Sequence, residues 1–219
     1  MQAQKSIRDV GEFGRVRVFE GDIDTNTYMD FATAERIAWD IETNGLEPKV
    51  AQIGTCQLYS PSVGAVIVTN VAGKTPPLLA HLLADAWPLK VFHHAPFDLS
   101  FMAHRWGVAP NNIACTKIAA KILHPFAPAD EFSLAYLMRR HFGLELDKRT
   151  RFTDWIAANL TESQMHYAVG DVIKLLDLYD LLVEQLEINA LSGLYEKTRA
   201  FLPAHVALRL RGCPDPFQY

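Results

Sequence analysis

Long apolar runs, paired cysteines and an excess of positive charge are all missing from this chain of 219 residues. No apolar stretch approaches the ~20 residues that a membrane-crossing helix needs, which excludes such a helix. Met1 to Val10 carries charges and no apolar core, so no secretory leader is expected there. Cysteine occurs three times, at Cys56, Cys115 and Cys213, without a Cys-x-x-Cys pair. That is too few and too scattered for a disulfide framework or a thiolate zinc site, and it implies reduced thiols and a cytoplasmic setting. Lys and Arg total 21 against 25 Asp and Glu, a net charge of −4. Sequence-independent affinity for long nucleic acids comes mostly from neutralised phosphates, so this balance argues against a protein that coats duplexes. It leaves room for an enzyme that holds a few nucleotides. Internal repeats and low-complexity linkers are absent too. What is present is 49% hydrophobic and 21% charged, the balance of a folded globular chain whose length suits one large domain.

Strand and helix patterns divide the chain into three stretches. Arg15 to Glu20 reads as a strand, followed by a polar segment and a helix ending near Glu35. Arg36 to Thr43 alternates, Val50 to Tyr59 is rich in strand formers, and Gly64 to Val71 contains Ala-Val-Ile-Val, with Pro61 and Gly64 as punctuation. Short connections make these three an antiparallel meander. Helices then alternate with strands: Pro77 to Ala86 helical, Leu89 to His94 extended, a helix opened by Pro96 and stopped near Gly107, a short strand Ile113 to Cys115, and a helix to about Leu123. Phe126 to Asp130 reads as a loop. Beyond it come a helix Ser133 to His141 closed by Gly143, and a capping box Thr161-Glu162-Ser163-Gln164 that starts a helix running to roughly Leu186. A final helix and a tail hold Phe201-Leu202-Pro203. The expected fold is α/β: a mixed sheet, meander first and parallel strands after, flanked by helices and covered by C-terminal helices.

Several carboxylates stand in costly places. In Ile37-Ala38-Trp39-Asp40-Ile41-Glu42 the alternation puts Ile37, Trp39 and Ile41 on one face and Asp40 and Glu42 on the other. Adjacent acids raise each other's cost of ionisation, and a bound cation reverses that cost. A solvent-facing strand with acids on its wet side is the simpler account of an isolated Asp-x-Glu. Asp171 lies on an apolar helical stripe with Leu175, Leu178 and Leu182, with Tyr167 one turn earlier, so it needs a partner. A local Tyr–Asp hydrogen bond or a salt bridge would also serve. Asp98 falls in the first turn behind Pro96, where the helix dipole favours any carboxylate. Together the four acids match the oxygen chemistry of hard divalent cations.

The order and wording of these segments resemble the RNase D-like branch of the DEDD 3′–5′ exonucleases. Asp40-Ile41-Glu42-Thr43-Asn44-Gly45-Leu46 is similar to the first family motif and His93-His94-Ala95-Pro96-Phe97-Asp98-Leu99 to the second. Tyr167-Ala168-Val169-Gly170-Asp171-Val172 is similar to the third, its tyrosine marking the DEDDy subclass. Leu146-Asp147-Lys148-Arg149 and Thr153-Asp154-Trp155 resemble the stretch before that motif. The likeness spans about Arg36 to Tyr179, with His94 where many relatives have Asn. It implies a ribonuclease H-like fold and hydrolysis with two divalent ions, Mg²⁺ or Mn²⁺. Asp40 would contact both ions, Glu42 and Asp171 the one that activates water, and Asp98 the one near the leaving group. Tyr167 would orient or help deprotonate that water, and nucleoside 5′-monophosphates would leave from the 3′ end.

The resemblance also bears on substrate and organisation. Thr43, Leu46, His94 and Phe97 are expected to meet substrate, Leu46 against the terminal bases unless it is simply core. Lys148 or Arg149 is expected to contact phosphate, although such charges are by default a solvated helix face. A single exonuclease domain over 1–219 is expected, with its core at about 15–186, a C-terminal helix and tail over 187–219, and no HRDC domain. Phe201-Leu202-Pro203 with Leu208, Leu210 and Gly212, and Cys115-Thr116-Lys117-Ile118-Ala119, look similar to the compact nano-RNase C group. That group degrades very short oligoribonucleotides and forms ring-like homo-oligomers. The implied partner is therefore short single-stranded RNA, without a membrane, and the implied assembly is a homo-oligomer. An RNase D-like enzyme on longer RNA, an exonuclease on single-stranded DNA, and a silent binding module remain alternatives.

Overall fold

Strand formers and helix signals resolve into two helical layers around one sheet in the computed structural model, which describes residues 5–146, 153–157, 159–213 and 215–217. Among these residues seven strands pair in the order β1-β2-β5-β4-β3-β6-β7. They are β1 (Lys5–Asp9), β2 (Arg15–Glu20), β3 (Arg36–Thr43), β4 (Ile53–Ser60), β5 (Gly64–Thr69), β6 (Leu89–Phe92) and β7 (Ile113–Cys115). β3, β4 and β5 form the expected antiparallel meander. β6 lies parallel to β3, β7 parallel to β6, and β2 parallel to β5. The mixed sheet of a ribonuclease H-like fold is thus present. β1 is an addition to the expected elements. It runs antiparallel to β2, and its polar Lys-Ser-Ile-Arg-Asp sequence carries little strand signal because an edge strand faces water.

The alternation of β3 decides which helices cover which face. Ile37, Trp39 and Ile41 sink into one core with α1 (Thr25–Ala32), α2 (Pro77–Ala84) and α3 (Ala95–Trp106). The opposite face is covered by α4 (Thr116–Leu123), α5 (Leu134–Phe142), α6 (Glu162–Ile173) and α7 (Leu175–Ile188). The last helix, α8 (Ser192–Leu210), passes the β7 edge and joins both layers. Its Tyr195 packs in the second layer while Leu202 and Val206 pack in the first. The Tyr195 hydroxyl accepts from the Cys115 N–H (3.1 Å) and donates to the Cys115 carbonyl (3.3 Å). A free sheet edge is closed by that side chain, so the C-terminal helix is the expected cover. No described helix is long and apolar enough to cross a membrane.

Several boundaries differ from expectation, and some of them shape the site. β4 begins at Ile53, because a register shift at Glu42/Thr43 puts Val50 to Gln52 in a loop. β6 ends at Phe92, since His94 is left-handed (φ 66°) and turns the chain into α3. The long helix behind the capping box breaks at Lys174 (φ −109°, ψ 5°) into α6 and α7. α6 lies over β3, β4 and β5, whereas α7 turns toward β3, β6, α4 and α5. Asp171 therefore sits in a different helix from Leu175, Leu178 and Leu182, although the periodicity runs on unbroken. The segment read as a loop to Asp130 ends in a short 3₁₀ turn, Ala129–Phe132.

Candidate active site

Three elements deliver the acids to one place. β3 supplies Asp40 and Glu42 from its polar face. α6, anchored by the Thr161–Gln164 capping box, supplies the buried Asp171 and, one turn earlier, Tyr167. One ligand oxygen from each of Asp40, Glu42 and Asp171 lies within 4.8 Å of the others. α3 supplies Asp98 by a different route. Because β6 stops at Phe92, the first turn of α3 comes up to the part of β3 that β6 leaves unpaired. There the buried Asp98 carboxyl accepts from the Ile41 N–H. Asp98 stands outside the 4.8 Å group, but its charge acts strongly on Asp40.

Electrostatics makes the cluster costly without a counter-charge. Burial pushes the Asp40 carboxyl well above the usual carboxylate range, and the neighbouring charges of Asp98, Glu42 and Asp171 push it further. Burial also raises Asp98 well above that range, helped by Asp171 and opposed by its own N–H and that of Ile41. Like charges this close, away from bulk water, favour neutral acids or a bound cation. The donors are all carboxylate oxygens, the set that hard divalent ions such as Mg²⁺ or Mn²⁺ take. The residues present therefore fit a divalent metal.

Neighbouring side chains hold the acids' frame. Gly54 lets the 153–157 segment touch the sheet: a Cβ there would stand 2.2 Å from the Trp155 carbonyl oxygen. The Trp155 ring then lies 5.8 Å from that of Tyr167. His93 is half-buried between Thr116 Oγ1 (2.8 Å from Nδ1) and the Phe132 carbonyl (3.0 Å from Nε2). Burial pushes its imidazole down to about 3, so it is a neutral wedge that fixes the turn before α3. Gly54 was not singled out from sequence, and Trp155 and His93 were named only within motif stretches, without this supporting role. Their signals are faint: a glycine between strand formers, and one of two adjacent histidines.

The remaining predicted residues are spread around the cluster. The Thr43 hydroxyl donates to the Gly45 carbonyl (2.7 Å) and shapes the turn after β3. Leu46 is 76% exposed on that turn, so core packing does not account for it. His94 and Phe97 stack at 6.5 Å with planes 17° apart, and Phe97 rests against the core. Lys148 and Arg149 lie outside the described residues. Buried polar atoms next to the acids are a further feature. Thr55 Oγ1 and both amide atoms of Gln57 have no hydrogen-bond partner among the described residues.

Comparison with known proteins agrees with this picture. A family model described as 3′–5′ exonuclease matches residues 21–187. Ribonuclease D of Bartonella henselae is 42% identical over 108 residues, 49% of this chain and 26% of that protein. The chain thus spans about a quarter of that relative's length. Brucella melitensis NrnC solved with bound Mg²⁺ superposes with a TM-score of 0.84 at 28% identity, over 93% of this chain and 98% of that one. The same protein bound to pGG gives 0.83 at 29% identity, with equal coverage.

Proposed function

Because the chain belongs to the 3′–5′ exonuclease family, we propose that it removes nucleoside 5′-monophosphates from the 3′ ends of short RNAs in a reaction dependent on two divalent ions. The observation that carries this reading is the meeting of Asp40, Glu42 and Asp171 within 4.8 Å, with Asp98 acting on Asp40 from α3. Asp40 would hold both ions, Mg²⁺ or Mn²⁺, with Glu42 and Asp171 completing one position and Asp98 the other. Such ions, when bound, stabilise the attacking and leaving oxygens of an in-line displacement. Tyr167 stands at i and i+4 from Asp171, and Trp155 supports its ring. Its Oη would orient the attacking water and help remove that water's proton. Leu46 and the His94–Phe97 stack offer apolar faces to terminal bases, and Lys148 or Arg149 would contact a phosphate.

Net charge and the pGG-bound relative support a short substrate. A net charge of −4 suits a ligand with few phosphates, and pGG on NrnC has two nucleotides. We take the whole of 1–219 as one exonuclease domain that works as a homo-oligomer in the cytoplasm. Exposed Leu194 and Phe201 on α8, with Phe217 in the tail, supply apolar surface for assembly. A monomer in sedimentation velocity would remove the assembly claim.

The test is a time course on 5′-labelled RNAs from two to about a dozen units, with matched DNAs, with and without Mg²⁺ or Mn²⁺. The expected result is metal-dependent, preferential loss of the RNA dimer. Processive shortening of the longest RNA would favour an RNase D-like activity on longer chains, and equal loss of DNA would remove the RNA preference. No release under any condition would leave a binding module. Charge reversal at Lys148 and Arg149 with unchanged affinity would dismiss their phosphate contact.

A further inference from the structure

On β4, directly opposite the two strand acids, lie two polar side chains with no hydrogen-bond partner among the described residues. The β3–β4 register pairs Asp40 with Gln57 and Glu42 with Thr55. Residues opposite each other in an antiparallel pair share a face, with Cβ atoms about 4.5–5.5 Å apart. Gln57 and Thr55 are fully buried, and neither the amide oxygen and nitrogen of Gln57 nor the hydroxyl of Thr55 has a partner. Leaving such atoms unpaired away from water is costly. Native chains bury few of them without a reason.

The surroundings narrow that reason. Ile67 faces Gln57 from β5, and Ala168 and Val169 bring α6 into the apolar cluster on this side. None of these side chains has a polar atom. Trp155 and Tyr167 of the same cluster carry polar atoms, but the side chain that the register sets directly beside Gln57 is that of Asp40, and an amide N–H donates well to an ionised carboxylate. A neutral donor also suits the place. A lysine or arginine there would compete with a cation for the same charge, whereas an amide orients the carboxylate and leaves that charge available.

We propose that Gln57 is a positioning residue for Asp40: its amide N–H, which here reaches no acceptor, turns to donate to the Asp40 carboxylate and orients it toward a divalent cation. The inference rests on reading the acids as a divalent-metal site. Hydrogen-bond partners of metal-binding carboxylates typically control affinity by about 10–100-fold. Gln57 therefore acts through Asp40 and need not touch substrate.

Mn²⁺ affinity by calorimetry, and the thermal midpoint with and without Mn²⁺, test this in the full chain. Gln57→Met and Gln57→Leu keep the side chain's bulk and remove the amide. Both are expected to weaken Mn²⁺ binding by about 10–100-fold and to shrink the Mn²⁺-induced rise in midpoint. The metal-free midpoint is expected to stay level or rise, because an unsatisfied amide is gone. Unchanged Mn²⁺ affinity in either folded variant overturns the proposal. So does a fall in the metal-free midpoint alongside weaker binding, which would make the amide a support of the fold. If the unaltered protein binds no Mn²⁺, the metal site itself fails, a result distinct from either.

Discussion

Two faces of one strand obey different rules. On one side of β3, Ile37, Trp39 and Ile41 are buried against α1, α2 and α3. Trp39 lies 6.0 Å from Phe92 and 6.3 Å from Trp106, ring to ring. On the other side, one residue out of step, Asp40 and Glu42 meet Asp171 under α6. The first face gains stability by removing apolar surface from water. The second gives some of it up, since burial and like charge both resist ionisation of Asp40. The apolar face makes the strand rigid enough to hold acids where they would not otherwise stay. This is the usual relation between a functional site and its scaffold.

Adjacent substitutions would break the comparison most sharply. Asp40→Asn is expected to lower turnover by about 10³-fold or more, the scale of losing a principal transition-state stabiliser. Its metal-free thermal midpoint should hold or rise, because a buried repelled charge is gone. Trp39→Ala, one residue earlier, should cost about 3–5 kcal/mol of stability through its cavity, read by denaturant unfolding. If both variants lose stability alike, the two faces do not differ as described. Tyr167→Phe is expected to cost about 10²-fold in turnover, the lower end for a positioned proton-transfer group, with Mn²⁺ affinity unchanged. Gly54→Ala tests how far the sheet shapes the site. It drives a methyl into the Trp155 backbone, so about 1–3 kcal/mol of overpacking is expected, together with a loss of turnover as Tyr167 loses its support.

The smallest effect concerns a buried charge on the apolar face. Lys90 pairs with Ile37 in the sheet, is fully buried, and its Nζ donates to the Asp85 carbonyl (2.5 Å). Burial pulls its ammonium down to about 8 from an ordinary 10.5, against the pull of Asp85. Between those values the unfolded chain keeps a proton that the folded one has released, so this group makes stability rise with pH from about 8 to 10.5. Lys90→Met should lack that rise, so the thermal midpoint of the unaltered chain should gain on the variant's from about pH 8 to 10.5. Profiles that stay parallel across this range would show that Lys90 titrates normally.

Much of this was legible in the sequence, for physical reasons. Strict alternation in β3 revealed both of its faces, and a proline followed by an acid located Asp98 in the first turn of α3. The capping box located α6. Less legible were features set by packing. The break at Lys174 has no proline or glycine at the break itself, and α6 and α7 part there toward different strands. β1 is too polar to announce itself. Gln57 reads as an ordinary strand residue until the register places it opposite Asp40. Leu46 could be core or surface from its motif alone, and its exposure settles that choice.

Calorimetric titration of Mn²⁺ into the unaltered chain and into Asp40→Asn addresses the central claim most directly. Binding by the unaltered chain that is lost or weakened by at least about 10²-fold in the variant, the upper end for a ligand's support, is the predicted result. Equal binding by the two, or none by the unaltered chain, would contradict the claim that these carboxylates gather to hold a cation.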